Sequence, residues 1–275
     1  MEAAGTMAPV GTFAALGDSF TEGLDDPYPG GGYRGWADRF AEMLAVVNPG
    51  LRYANLAIRG KLLGEVVADQ VPPAVAMAPD LVSIAAGGND LLRPGADPDL
   101  LAEVFDDTVC RLAAAGSQVL VLTGFDPRTF PVIRWIRGKV AVYNMHLRGI
   151  AERRGCLLTD LWSMPVLCDP RVWSDDRLHL NSEGHHRVAL RACETLALPG
   201  APDWRAPLQP TPATLTSGDE VPAGLLAARR LDARWARRHA LPWVRRRIKG
   251  QSSGDSVLPK RPELLPLGHL TVPAP

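Results

Sequence analysis

Aromatic residues are scarce, at 6% of 275 positions, and the formal net charge is zero, with 30 Lys plus Arg against 30 Asp plus Glu. A zero balance argues against a whole-surface affinity for nucleic acid or anionic membrane. No apolar run approaches the ~18 to 20 residues that a membrane-spanning helix needs, because charges or prolines break every one. Residues 1–10 hold Glu2 and no Lys or Arg, so the basic region and apolar core of a secretory signal are missing. The expectation is a cytoplasmic location. Cys110, Cys156, Cys168 and Cys193 show no Cys-x-x-Cys spacing, which argues against a disulfide framework or a zinc site and for buried, reduced thiols. What the chain does have is length and 46% hydrophobic residues, enough to bury a core without covalent staples.

From the start to about residue 198, short apolar runs alternate with segments of helical period, the pattern of a sheet covered by helices. Five runs read as buried strands: Thr12 to Leu16, Leu51 to Leu56, Asp80 to Ala86, Gln118 to Leu122 and Cys156 to Leu161. Between them, Arg34 to Val47 spaces Trp36, Phe40, Met43 or Leu44, and Val47 on one helical face. A second helix, Pro98 to Ala115, aligns Leu101, Phe105, Val109 and Leu112. A third, after Pro131, aligns Ile136, Val140, Tyr143, Leu147 and Ile150. Core packing is the expectation for these positions, and also for Trp135 and Trp162.

In a parallel α/β sheet the functional loops lie beyond the carboxyl ends of the strands. After the first strand comes Gly17-Asp18-Ser19-Phe20-Thr21-Glu22-Gly23, after the second Ala57-Ile58-Arg59-Gly60, after the third Gly87-Gly88-Asn89-Asp90. The last strand is followed by a segment that ends Ser174-Asp175-Asp176-Arg177-Leu178-His179-Leu180. A serine hydroxyl needs a base to take its proton, and the base works best when a carboxylate fixes its tautomer. Asp176 stands three residues before His179, close enough for one turn to bring it onto Nδ1 and leave Nε2 for Ser19. Asp175 reads as a solvated or capping carboxylate. An oxyanion could meet the backbone N–H of Ser19, the backbone N–H of Gly60 and the side-chain amide of Asn89. His185 and His186 lack the His-Glu-x-x-His spacing of a metal site. Asn181, Ser182 and Glu183 instead read as the cap of a final helix, Glu183 to Leu196.

Gly17-Asp18-Ser19, Gly60, Gly87-Gly88-Asn89-Asp90 and Asp176-x-x-His179 together resemble the ordered blocks of the SGNH hydrolases, also called the GDSL esterase/lipase family. The resemblance covers about residues 12–197. It implies an α/β fold of the flavodoxin-like, three-layer αβα type with a five-stranded parallel sheet. It also implies a Ser19, His179, Asp176 triad, an oxyanion hole of Ser19, Gly60 and Asn89, and no metal or other cofactor. Phe20 stands where the family name has Leu, a position expected to pack. The family's usual hydrophobic lid is not recognisable, which leaves acyl-chain length open. The loop Leu24 to Gly35, the segment Phe125 to Trp135 and Trp173 are the expected walls of the cleft.

Beyond the expected hydrolase domain, residues 1–198, the texture changes. Residues 199–275 read as a Pro-rich linker and a basic helical extension, with an amphipathic, arginine-rich segment at 222–250 and a poorly ordered end from Gln251 to Pro275. The zero net charge conceals a division: residues 1–200 carry 18 basic and 24 acidic side chains, residues 201–275 carry 12 and 6. Docking of the basic segment on the acidic domain is the simplest reading, ahead of a weak contact with anionic membrane, and no nucleic-acid partner is expected. The functional expectation is a serine esterase or acylhydrolase that cleaves small acyl esters or thioesters through an acyl-enzyme. The alternatives are an acyltransferase with the same triad and a non-catalytic binding or membrane-surface module built on the basic tail.

Overall fold

The computed structural model describes residues 10–130, 133–209 and 254–267. Phe13, Ala14, Ala15 and Leu16 are wholly buried, as a strand must be when helices cover both sides of it. They belong to β1 (Thr12–Gly17), which is flanked by β2 (Arg52–Asn55) and β3 (Leu81–Ala85). β4 (Gln118–Leu122) and β5 (Leu157–Thr159) continue the sheet on the side of β3. These five strands are parallel. A sixth, β6 (Arg261–Pro266), runs antiparallel along β2, giving the order β5-β4-β3-β1-β2-β6.

The expected five-stranded, all-parallel flavodoxin-like sheet is therefore corrected to a six-stranded mixed sheet. Without β6, β2 would present a row of unpaired N–H and C=O groups at the sheet edge. The Arg52 guanidinium donates to Leu264 O, and Arg261 Nε donates to Tyr53 O at 3.2 Å, so side chains reinforce the added strand. Pro262 and Pro266 disguise this strand in the sequence. Proline is tolerated there because an edge strand needs only half of its backbone groups for pairing. Within the end expected to be poorly ordered, residues 254–267 take a defined place; 251–253 and 268–275 lie outside the described residues. The segment 222–250, expected to be helical, lies outside the described residues.

The α-helices among the described residues are α1 (Ser19–Glu22), α2 (Trp36–Val47), α3 (Leu63–Asp69), α4 (Val71–Met77), α5 (Gly88–Leu91), α6 (Pro98–Ala114), α7 (Arg137–Arg154) and α8 (Ser182–Thr195). Connections between parallel strands are right-handed. The chain moves from β1 to β2 in one direction and from β3 through β4 to β5 in the other, which puts α2 on one face and α6 and α7 on the opposite face. α2 packs on α8, and α6 packs on α7. The predicted long helices and strands match within a few residues, whereas α3, α4 and α5 are too short to impose a clear helical period on the sequence. Trp135 is 60% exposed and not in the core, because it sits in a one-turn segment ahead of α7 whose buried side is supplied by Ile133 and Ile136. Trp162 is half-buried against the core, with the Arg137 guanidinium 5.3 Å over its ring. No helix among the described residues is long and apolar enough to cross a membrane.

Candidate active site

The nucleophile candidate sits at a forced turn. β1 ends at Gly17, whose φ of 152° is closed to most side chains, and a Cβ there would come within 2.5 Å of Ala85 O. Gln70 closes the turn from both sides: its Nε2 donates to Gly17 O, and Gly17 N–H donates to its Oε1, each at 2.8 Å. Asp18 then caps α1 by accepting from Phe20 N–H at 3.0 Å, so Ser19 occupies the first helical position. Its N–H has no intrahelical acceptor at that place.

His179 arrives from the other end of the sequence. Its Nε2 lies 3.0 Å from Ser19 Oγ, and its Nδ1 lies 2.6 Å from Asp176 Oδ2. Asp176 is itself held, because Oδ1 accepts from the N–H of Leu178 and of His179 and from Ser174 Oγ. Asn181 caps α8 by accepting from Glu183 and Gly184 N–H, and its amide donates back to Trp173 O. The carboxylate and the imidazole thus belong to one loop pinned at the start of a helix. Asp175, one residue away, is exposed.

Sequence reasoning missed a second carboxylate here. Asp25, at φ 69°, lies 2.8 Å from Ser174 Oγ, where it competes with Asp176 for the single hydroxyl proton, and brings Oδ2 to 3.9 Å from His179 Nδ1. Burial alone would lower the pKa of His179, but the hydrogen bond and charge of Asp176, with Asp25 and Asp18 behind it, hold it above its ordinary value. Burial opposes ionisation of Asp176 as well, yet the His179 hydrogen bond and charge keep its carboxyl well below the usual range. Ligand atoms of Asp25, Asp176 and His179 converge within 4.8 Å. Both imidazole nitrogens are already committed, one to Asp176 and one to Ser19, so the two carboxylates serve the histidine.

The expected oxyanion donors are brought together unequally. Ser19 and Asn89 line the same cavity; Gly60, at φ 75°, does not line it. Asn89 projects from α5, where Gly87 at φ 100° packs its α-carbon against the Tyr143 ring. The Asn89 amide donates to Asp18 Oδ2 at 3.0 Å and to Lys61 O at 3.1 Å. Burial pushes the Asp18 carboxyl up to about 6, against the pull of its hydrogen bond from Phe20 N–H. Both Asn89 amide hydrogens are engaged by internal acceptors, so a role at an oxyanion requires one of them to turn away from Asp18 or Lys61 O.

That space opens into a cavity of about 210 Å³ whose apolar lining includes Leu122, Ile136, Val140, Leu147, Leu161 and Trp173. Two of its polar residues, Thr123 and Asn144, are spent on the protein, whereas the buried His185 Nε2 has no hydrogen-bond partner among the described residues. Thr123 Oγ1 is shared between Asp160 Oδ1 and the N–H of Leu161, and Asn144 pairs with both N–H and C=O of Gly124 at 2.8 Å. Of the expected walls, Leu24, Phe125, Pro127, Ile133 and Trp173 line the cavity, whereas the rest of the loop Leu24 to Gly35 and Trp135 do not. Phe20 packs near Trp36 and His185, and burial pushes His185 down to about 3, which leaves it neutral. A serine aligned with an imidazole and a carboxylate at the mouth of an apolar cavity defines a serine-dependent ester hydrolase.

The family comparison agrees. The model of the GDSL-like Lipase/Acylhydrolase family matches residues 15–187, and the chain belongs to that family. No curated protein matches it. Solved structures share its fold, among them LAE5, described as an alpha/beta hydrolase enzyme from the metagenome of Lake Arreo, Spain. That structure is 23% identical with a TM-score of 0.60, over 70% of this chain and 97% of the other. A catalytic mutant of the acetylxylan esterase Axe2 from Geobacillus stearothermophilus is 20% identical with a TM-score of 0.59, over 72% and 98%. TesA is 24% identical with a TM-score of 0.56, over 67% and 97%.

Proposed function

We propose that the chain hydrolyses small carboxylic esters through an acyl-enzyme on Ser19, with His179 as base and then acid and Asp176 as its orienter. Ser19 Oγ attacks the acyl carbonyl carbon while its proton passes to His179 Nε2. The negative oxygen that forms meets the Ser19 N–H and the Asn89 amide, with Gly60 N–H as the third donor. His179 returns the proton to the leaving alkoxide, and a water activated by the same nitrogen then releases the acid. The observation that carries this reading is the unbroken chain from Ser19 Oγ through the imidazole to Asp176, at 3.0 and 2.6 Å.

The cavity supports an apolar acyl group in preference to a polar one, since most of its lining is apolar and Thr123 and Asn144 already have protein partners. An apolar cavity of about 150 Å³ holds benzene, so scaling by volume gives room for an acyl group of about eight carbons. The test is a series of p-nitrophenyl esters with wild type and Ser19→Ala. Wild type is expected to rise in kcat/KM toward about eight carbons and fall beyond, and Ser19→Ala is expected to lose turnover without loss of folding. Unchanged turnover in Ser19→Ala sinks the mechanism, and a flat chain-length profile sinks the assignment of the cavity alone.

A further inference from the structure

We propose that residues 254–266, beyond the part of the chain that the family model matches, position the oxyanion loop, with Lys260 as the positioning residue. This rests on the reading of Ser19 N–H and Gly60 N–H as oxyanion donors.

Lys260 reaches in from just before β6 and satisfies all three of its N–H bonds on elements around the nucleophile. Its Nζ donates to Glu22 O at 2.6 Å, to Tyr33 O at 3.0 Å and to Asp38 Oδ2 at 2.5 Å. Glu22 is the last residue of α1, the single helical turn that begins with Ser19. Tyr33 belongs to the loop after it, and Asp38 lies in the first turn of α2, where it also accepts from Gly35 N–H. One ammonium group therefore ties together the end of the nucleophile turn, the following loop and the next helix.

The tie extends to Gly60. The Glu22 carboxylate accepts from Arg59 N–H at 2.8 Å and pairs with the Arg59 guanidinium, so it holds the residue immediately before Gly60. A contact from the tail meets the same residue: a Cβ on Gly254 would overlap Arg59 O, in the peptide that carries Gly60 N–H, and press on Ile58. Pairing of Arg261 with Asn55 then fixes the tail to the strand that leads into this loop. Lys260 thus acts on Gly60 through Glu22 and Arg59, while Gly254 backs Arg59 directly.

The Asp38 carboxylate is buried, and burial raises its pKa against the charge of Lys260. Removing the lysine alone would leave an uncompensated carboxylate in the interior, which threatens folding. The experiment therefore uses the full chain with Lys260→Met paired with Asp38→Asn, alongside Lys260→Arg and Gly254→Val. The readouts are kcat and KM on a short p-nitrophenyl ester, the rate of Ser19 labelling by diethyl p-nitrophenyl phosphate, and Tm. A misplacement on the order of 1 Å at a catalytic group costs up to about a hundredfold in rate, so kcat in the paired variant is expected to fall about ten- to a hundredfold. KM should stay within about twofold and labelling should slow in step, while Lys260→Arg recovers part of the loss. The proposal is overturned if a folded paired variant and Gly254→Val both keep kcat within about twofold, or if activity is lost only in proportion to the unfolded fraction. Failure of wild type to hydrolyse the ester and take the label would instead remove the esterase reading itself, and this proposal with it.

Discussion

Asp25→Asn should move the acid limb of the pH–rate profile to lower pH. Asp25 Oδ2 stands 3.9 Å from His179 Nδ1, where two unit charges interact by about 1 kcal/mol in bulk water and about 4 kcal/mol at an effective dielectric constant of 20. The Asp25 side chain is 37% exposed and that of His179 23%, which places the pair near the aqueous end of that range. About 1 kcal/mol corresponds to about 0.8 of a pH unit. His179 must be neutral to take the Ser19 proton, and the negative charge of Asp25 favours the imidazolium. Removing that charge lowers the pKa of His179, so activity persists to more acid pH by about 0.8 unit. Asn tolerates the left-handed backbone at this position, and Ser174 keeps its bond to Asp176, so the loop should survive the change. The assay is pH-stat hydrolysis of a short ester across the acid range at low ionic strength, repeated at high salt, where screening should shrink the difference. A limb that stays within about 0.2 unit of wild type, or that moves upward, refutes the electrostatic account.

Asn89→Ala removes one oxyanion donor and should lower kcat by about 10²- to 10³-fold while KM changes little, as steady-state kinetics on the same ester would report. Gly87→Ala forces a side chain onto a φ of 100° with Tyr143 Oη only 2.7 Å from the new Cβ. Strain and overpacking together should cost about 2 to 5 kcal/mol, read as a lower midpoint in urea unfolding.

The sequence alone carried the local parts of this protein. Runs such as Gln118–Leu122 and the periodic helices declared themselves because a buried strand and an amphipathic helix each impose a short-range pattern. The Asp176-x-x-His179 pair was legible for the same reason, since three residues suffice to close the carboxylate onto Nδ1. The order of blocks pointed to Ser19, Asn89 and the family.

Other features depend on distance in space and left no local trace. Ser19 and His179 are 160 residues apart in sequence, and only the parallel sheet, which gathers its loops at one rim, brings Oγ to Nε2. Asp25 meets Ser174 across 149 positions and Lys260 meets Glu22 across 238, contacts that no spacing rule announces. Gln70 and Asn144 looked like ordinary polar residues, yet each closes a backbone turn beside the cavity with paired hydrogen bonds. β6 was hidden by its prolines, which are admissible only because tertiary structure put it at an edge. Short-range chemistry specified which groups would react. Long-range packing decided which carboxylate, lysine and glycine would hold them in place, because those contacts exist only once the sheet has formed.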